Sequence, residues 1–348
     1  MAQGHDDDAD GMSRRGALAR LAWSAGMLGA ATGLPERWRL FGPARAAAPA
    51  PTIPVIVKDM ARPYWQAVLA GARKAGDELG AQILALGGHT EADADGEVAA
   101  LSNALAAKPA ALVIAPAPSA ALAKAIEEAA RGVKIIAVDS GADAKALTAL
   151  VATDNVQAGR MAADALATAI KRSYADAEGD VAIISAAPGV AALAERAKGF
   201  TDQLAASYGA IAIVAQPVAD GPAASGAKIM AELIAAHSEL RGVVALDLAM
   251  TQGAAQVLAK TPNNTTGDKI NLVGFDADEG VVEFLKNGVV AALVVQDPFR
   301  MGYDGVKAAL AAARGEEVPP RIATAGTLVT KANMNSARAQ ELLAPKLR

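Results

Sequence analysis

A set of polar residues stands directly behind short apolar runs, where a folded chain could gather them in one place. Lys58 follows the run at 53–57 (IPVIV), and Arg62, Tyr64 and Trp65 come next in a loop that carries Pro63. Asp139 and Ser140 follow 134–138 (KIIAV), Asp247 follows 242–246 (GVVAL), Asp276 follows 270–275 (INLVGF) and Gln296 follows 291–295 (AALVV). Together they offer cationic donors, carboxylate acceptors, a hydroxyl, an amide and an aromatic pair, the equipment for holding a small polar molecule by hydrogen bonds. Each aspartate could instead cap the helix that follows it. Only 3% of the chain is aromatic, and Trp65 is the one tryptophan after residue 46. Beside Tyr64 it suits a platform on which a ring or carbon chain stacks; the other reading is a core pair that anchors the helix.

Catalytic patterns are missing. No G-x-G-x-x-G follows a strand and there is no G-x-S-x-G elbow. The closest phosphate-loop lookalike, GPAASGAK at 221–228, has its lysine one place late and no Ser or Thr after it. The three histidines, His5, His89 and His237, are scattered, and the chain has no cysteine, so no metal centre and no cofactor is expected. A net charge of −4 offers no basic footprint for nucleic acid. The reading is a binding protein and not an enzyme.

The elements that must position these residues repeat one unit, a short apolar run, a turn and an alanine-rich amphipathic helix. Besides the runs named above, the strands read are 82–86, 111–115, 181–184 and 211–215. The helix after Trp65 ends on Gly80, a usual C-cap. Alternating strands and helices imply parallel sheets with right-handed crossovers, whose ligands are met beyond the carboxyl ends of the strands. The 348 residues, 53% hydrophobic, suffice for about two domains, and the break is read near 152–155, where ALVAT leads into a polar-capped helix.

Residues 1–46 differ from the rest. The basic stretch SRRGALAR (13–20) precedes a modestly apolar stretch too short to span a membrane and an A-x-A site at Ala44-Arg45-Ala46. This is the order of a secretory signal, and Arg14-Arg15 with Leu18 resembles a twin-arginine export signal, departing from it at Ala17 and Arg20. Cleavage is expected near Ala46, giving a mature protein free in the periplasm.

The strings TIPVIVKD..RPYWQAVLAGARKAGDELG, KIIAVDSGAD, VATDNVQAGRMAADAL and LVGFDADEGVVEFLKNG with AALVVQDPFRMGYDGVKAAL resemble the periplasmic ribose-binding-like proteins of sugar ABC importers, a type 1 periplasmic-binding-protein family. The resemblance implies two doubly wound three-layer αβα lobes joined by three hinge strands: 51–152 plus 297–323 in the first, 153–296 plus 324–348 in the second. Lys58, Arg62, Tyr64 and Trp65 match the first lobe's contact loop, Arg62 standing where asparagine is common. Asp139 and Ser140 match a contact pair, Asp247 falls where many relatives have asparagine, and Asp276 and Gln296 match outright. Ala194 stands where ribose binders are expected to carry a ligand-contacting arginine, which argues against ribose.

Two cations, Lys58 and Arg62, face three carboxylates, Asp139, Asp247 and Asp276. The surplus carboxylate favours a neutral monosaccharide or sugar alcohol of about four to six carbons over a small sugar acid, because a buried charge without a partner is costly. The implied partner of the monomer is an inner-membrane permease, or alternatively a sensor kinase or chemoreceptor.

Overall fold

The computed structural model describes residues 50–344 except 187 and 263–267. From the amino end, β1 (Thr52–Val57), α1 (Pro63–Leu79), β2 (Gln82–Gly87), α2 (Ala94–Ala106), β3 (Leu112–Ile114), α3 (Ala120–Ala129), β4 (Ile135–Val138) and β5 (Ala149–Thr153) follow one another. The chain continues through α4 (Asn155–Tyr174), β6 (Gly179–Ala186), α5 (Ala191–Ser207), β7 (Ile211–Ala215), β8 (Val218–Ala219), α6 (Ala223–Ala236), β9 (Leu240–Ala245), α7 (Leu248–Leu258), β10 (Asn271–Phe275), α8 (Glu279–Lys286) and β11 (Val290–Val295). It ends with α9 (Pro298–Ala313), β12 (Arg321–Thr324), β13 (Thr327–Thr330) and α10 (Ala337–Leu343).

Two sheets result. The first runs β12-β5-β4-β3-β1-β2 and is parallel throughout; the second runs β13-β11-β10-β9-β6-β7, with β13 antiparallel and β8 beside β6. Leaving aside β8 and the late strands β12 and β13, both sheets are wound in the same order, so the point where the order reverses falls beside β1 in one and β6 in the other. Alternate residues of β1 enter different cores: Ile53, Val55 and Val57 pack with α1 and α9, and Ile56 packs with α2 and α3. A fully apolar strand is therefore required, and the near-continuous burial of β1, β4, β9 and β10 is what such a sandwiched parallel sheet needs.

The chain passes between the sheets at three places. The first lies between β5 and α4, the second between β11 and α9, and the third between β12 and β13. β8, β12 and β13 were not among the strands read from the sequence; β12 (RIAT) and β13 (TLVT) are short and half-exposed, without an apolar run to mark them.

Candidate ligand-binding site

Asp139 and Asp276 end equivalent strands, β4 and β10, and the backbone treats them alike. Both take left-handed conformations, with φ of 67° and 61°. Both N–H groups donate to the neighbouring strand, Asp139 to Val151 O at 2.9 Å and Asp276 to Val294 O at 3.0 Å. Aspartate tolerates this region better than most residues, and adopting it stops the strand and turns the side chain away from helix capping. Neither carboxylate caps a helix; each gathers side-chain donors instead.

Around Asp139 the donors come from the first sheet. Tyr64 OH donates to Oδ1 at 2.7 Å, Lys58 Nζ to Oδ2 at 3.0 Å, and Ser140 Oγ lies 3.1 Å from Oδ2 and 2.8 Å from Lys58 Nζ. Burial alone would raise the Asp139 pKa; the Lys58 charge and the bonds from Tyr64 and Lys58 outweigh it and hold the carboxyl below its usual value. Tyr64 is pushed well up, first by burial and then by the Asp139 charge, so it remains a donor.

Around Asp276 the arrangement differs. Gln296 Nε2 donates to both carboxylate oxygens at 3.0 and 3.2 Å, while Gln296 Oε1 accepts from Thr153 Oγ1 at 2.8 Å. The nearest cation is Arg196, whose Nη1 stands 4.0 Å from Asp276 Oδ2. Burial dominates here, and the Asp276 pKa is raised. Asp247 is the N-cap of α7, its Oδ1 accepting from Met250 N–H at 2.9 Å, so for this aspartate the capping alternative is realised. Burial, and after it the nearby Asp276 charge, pushes its pKa up as well. The two clusters are close enough for Arg196 and Asp276 to act electrostatically on Asp139 and Tyr64.

Arg196 was missed in the sequence. It lies on α5, buried at 3% exposure, between Leu193 and Phe200 on the helix's buried face. A charged residue in that apolar stripe was the available signal. Its Nε donates to Asn155 Oδ1 at 2.8 Å, its Nη1 to Leu246 O at 2.7 Å, and the guanidinium stacks over the Phe275 ring, 4.5 Å from its centroid. Arg196, two residues beyond Ala194, is thus the guanidinium that stands beside Asp276.

Two expectations for the first loop are corrected. Arg62 points outward with its side chain 59% exposed, 3.1 Å from Glu91 and 3.7 Å from Asp59. Asp59 causes this: its Oδ1 accepts from the N–H groups of Ala61 and Arg62 and folds the loop into a tight turn. Trp65 is 2% exposed and belongs to the core around β1, so its ring is an anchor and not an open platform. Its Nε1 donates to Glu91 at 3.2 Å, and Tyr64 meets it edge-on at 4.8 Å. Trp65→Ala is accordingly expected to lower unfolding stability by about 3–5 kcal/mol, the range for a buried aromatic, which urea denaturation would measure. A loss under about 1 kcal/mol would return the ring to the ligand.

With Arg196 in place of Arg62, the assembled charges still leave one carboxylate in excess. Two sets of strand ends thus present buried donors and acceptors of the kind that can hydrogen-bond a small polar molecule. The comparisons with known proteins agree in kind. The family model described as periplasmic binding protein domain matches residues 53–317. The ribose import binding protein of Escherichia coli is 28% identical, over 80% of this chain and 90% of its own length; that of Bacillus subtilis is 26% identical, over 80% and 87%. A carbohydrate transporter solute-binding protein from Agrobacterium radiobacter, solved with D-arabinose, is 49% identical with a TM-score of 0.75, covering 84% of this chain and 99% of that one. An ABC transporter solute-binding protein from Agrobacterium vitis, bound to α-D-tagatopyranose, is 27% identical with a TM-score of 0.75, over 85% and 99%. Strand order, site and relatives together make this chain a member of the periplasmic binding protein family.

Proposed function

We propose that the protein captures a neutral monosaccharide or sugar alcohol between two lobes and hands it to the permease of an ABC importer. The observation that carries the reading is the charge of the site: Lys58 and Arg196 oppose Asp139, Asp247 and Asp276, a formal balance of −1. A sugar acid would add a second unpaired charge in a buried place, whereas neutral hydroxyls can donate to the carboxylates and accept from the cations. Relatives solved with D-arabinose and tagatose support the sugar class. The lobes are 51–152 plus 297–323 and 153–296 plus 324–348, and the ligand draws them together because only the closed arrangement lets both carboxylate clusters meet it. The protein works in the periplasm as a monomer, exported by a twin-arginine leader at 1–46 that lies outside the described residues.

Thermal-shift screening of the purified protein against pentoses, hexoses, polyols, sugar acids and amino acids tests the ligand class. Neutral sugars or polyols are expected to raise the melting temperature by several degrees at millimolar concentration, as binding to the folded state requires. Stabilisation confined to the acids would overturn the reading.

A further inference from the structure

The first crossing between the sheets, residues 153–155, touches both donor groups that face Asp276. Thr153 is fully buried, and its hydroxyl donates to Gln296 Oε1 at 2.8 Å. An amide whose oxygen is claimed on one side must present its NH2 on the other, where the Asp276 carboxylate lies at 3.0 and 3.2 Å. Two residues on, Asn155 is 2% exposed, and its Oδ1 accepts from Arg196 Nε at 2.8 Å. With Leu246 O holding Nη1 at 2.7 Å, the guanidinium is fixed in a plane that brings it 4.0 Å from Asp276.

We infer that this crossing is the positioning element of the binding site: Thr153 aims the Gln296 amide, and Asn155 aims the Arg196 guanidinium, at the one carboxylate they share. Close packing makes the link stiff. A Cβ on Gly159 would stand 2.1 Å from Arg196 O, and one on Gly199 would stand 2.0 Å from Val156 O, so α4 and α5 touch backbone to backbone where Asn155 meets Arg196. Asp154, between the two, donates its N–H to Thr324 O at 3.0 Å and caps α4 through Gln157 N–H, which ties the third crossing to the first. Any rotation of one sheet against the other that changes the backbone at 153–155 must therefore re-aim both donors at Asp276. Thr153 and Asn155 are positioning residues, acting through Gln296 and Arg196.

This inference rests on reading the cluster as a ligand site, and its test separates the two. The variants are Thr153→Val, which keeps the shape and removes the hydroxyl, Thr153→Ser, which restores the hydroxyl, and Asn155→Ala. The first readout needs no ligand: the carboxyl titration of Asp276 followed by carbon NMR in the full mature chain. Asp276 is faced by Arg196 from α5, by Gln296 after β11, by Asp247 at the start of α7, and by Asp139 and Tyr64 from the other sheet. Loosening either donor should move its midpoint further up in Thr153→Val and in Asn155→Ala, with return toward the parent value in Thr153→Ser. The second readout is calorimetric titration with D-ribose and D-arabinose, expected to weaken about tenfold in the first and third variants and to recover in Thr153→Ser, the loss of one buried hydrogen bond. An unmoved Asp276 midpoint in both variants would overturn the positioning role whatever the sugars do. If the parent binds neither sugar while the midpoint moves as stated, the positioning stands and the ligand assignment fails.

Discussion

Asp139→Ala is expected to abolish measurable sugar binding and to lower unfolding stability by about 3–5 kcal/mol at neutral pH, because it strands a largely buried ammonium. Lys58 is 13% exposed, and after the change only Ser140 Oγ, at 2.8 Å, would remain of its close partners in this cluster; Tyr64 OH would lose its 2.7 Å acceptor at the same time. The pH dependence has a definite sign. The carboxyl of Asp139 titrates below its unfolded value in the folded protein, so its contribution is present above the ordinary carboxylate range and is lost as pH falls through the folded pKa. The gap between parent and variant should therefore be wide at pH 7 and narrow on acidification. Stability and function separate in the double variant Lys58→Met with Asp139→Asn. It removes both charges together, while asparagine tolerates the left-handed backbone and keeps an acceptor for Tyr64 OH, so most of the lost stability should return while binding stays lost. Urea unfolding together with sugar titration measures both. A double variant that still binds sugar would remove this pair from the site.

How far the sequence carries depends on how each residue is delivered. Lys58, Asp139, Asp276 and Gln296 follow buried apolar strands, and the rule that ligands meet the carboxyl ends of parallel strands needs only strand order to work. Arg62 and Trp65 sit several residues beyond β1, and their directions are set by the Asp59 turn and by the rotation of α1, which leaves Trp65 on the core side. Nothing in the spacing of aromatic and basic residues distinguishes those outcomes. The strand rule could not find Arg196, because it reaches the site from inside a helix. Asp247 fulfils a cap and an electrostatic role together, which a choice between the two could not anticipate.

The paired aspartates also show what a repeated architecture does with charge. The backbone at Asp139 and Asp276 is alike, yet one carboxyl is held down against burial by an ammonium at 3.0 Å, while the other is raised by burial, which its guanidinium at 4.0 Å does not outweigh. Asp139 thus already accepts from three donors of its own sheet. Asp276 keeps acceptor capacity for donors that arrive with a ligand, and in the proposed closure it is the group whose hydrogen bonding is completed by binding.

Arg196→Met tests that asymmetry and carries the second large effect. The guanidinium donates to Asn155 Oδ1 and Leu246 O and is the nearest cation to Asp276, so its removal takes a donor from two buried acceptors and leaves Asp276 with Gln296 but without that charge. A loss of about 3 kcal/mol or more in stability at neutral pH follows from those unmade bonds, and sugar affinity should fall at least about a hundredfold. Arg196→Lys should recover little, because a single ammonium cannot reproduce the fork that spans Asn155 and Leu246. The sign with pH again discriminates. Asp276 already titrates above its unfolded value, and taking the cation away raises it further. The contribution of such a group is fully present below its unfolded pKa and disappears as pH rises through the folded pKa, so the variant's deficit should be greatest at pH 7 and shrink toward pH 4. Denaturation curves at the two pH values measure this. A deficit independent of pH would mean that Arg196 acts only through its bonds to Asn155 and Leu246 and its packing on Phe275, with no charge coupling to Asp276.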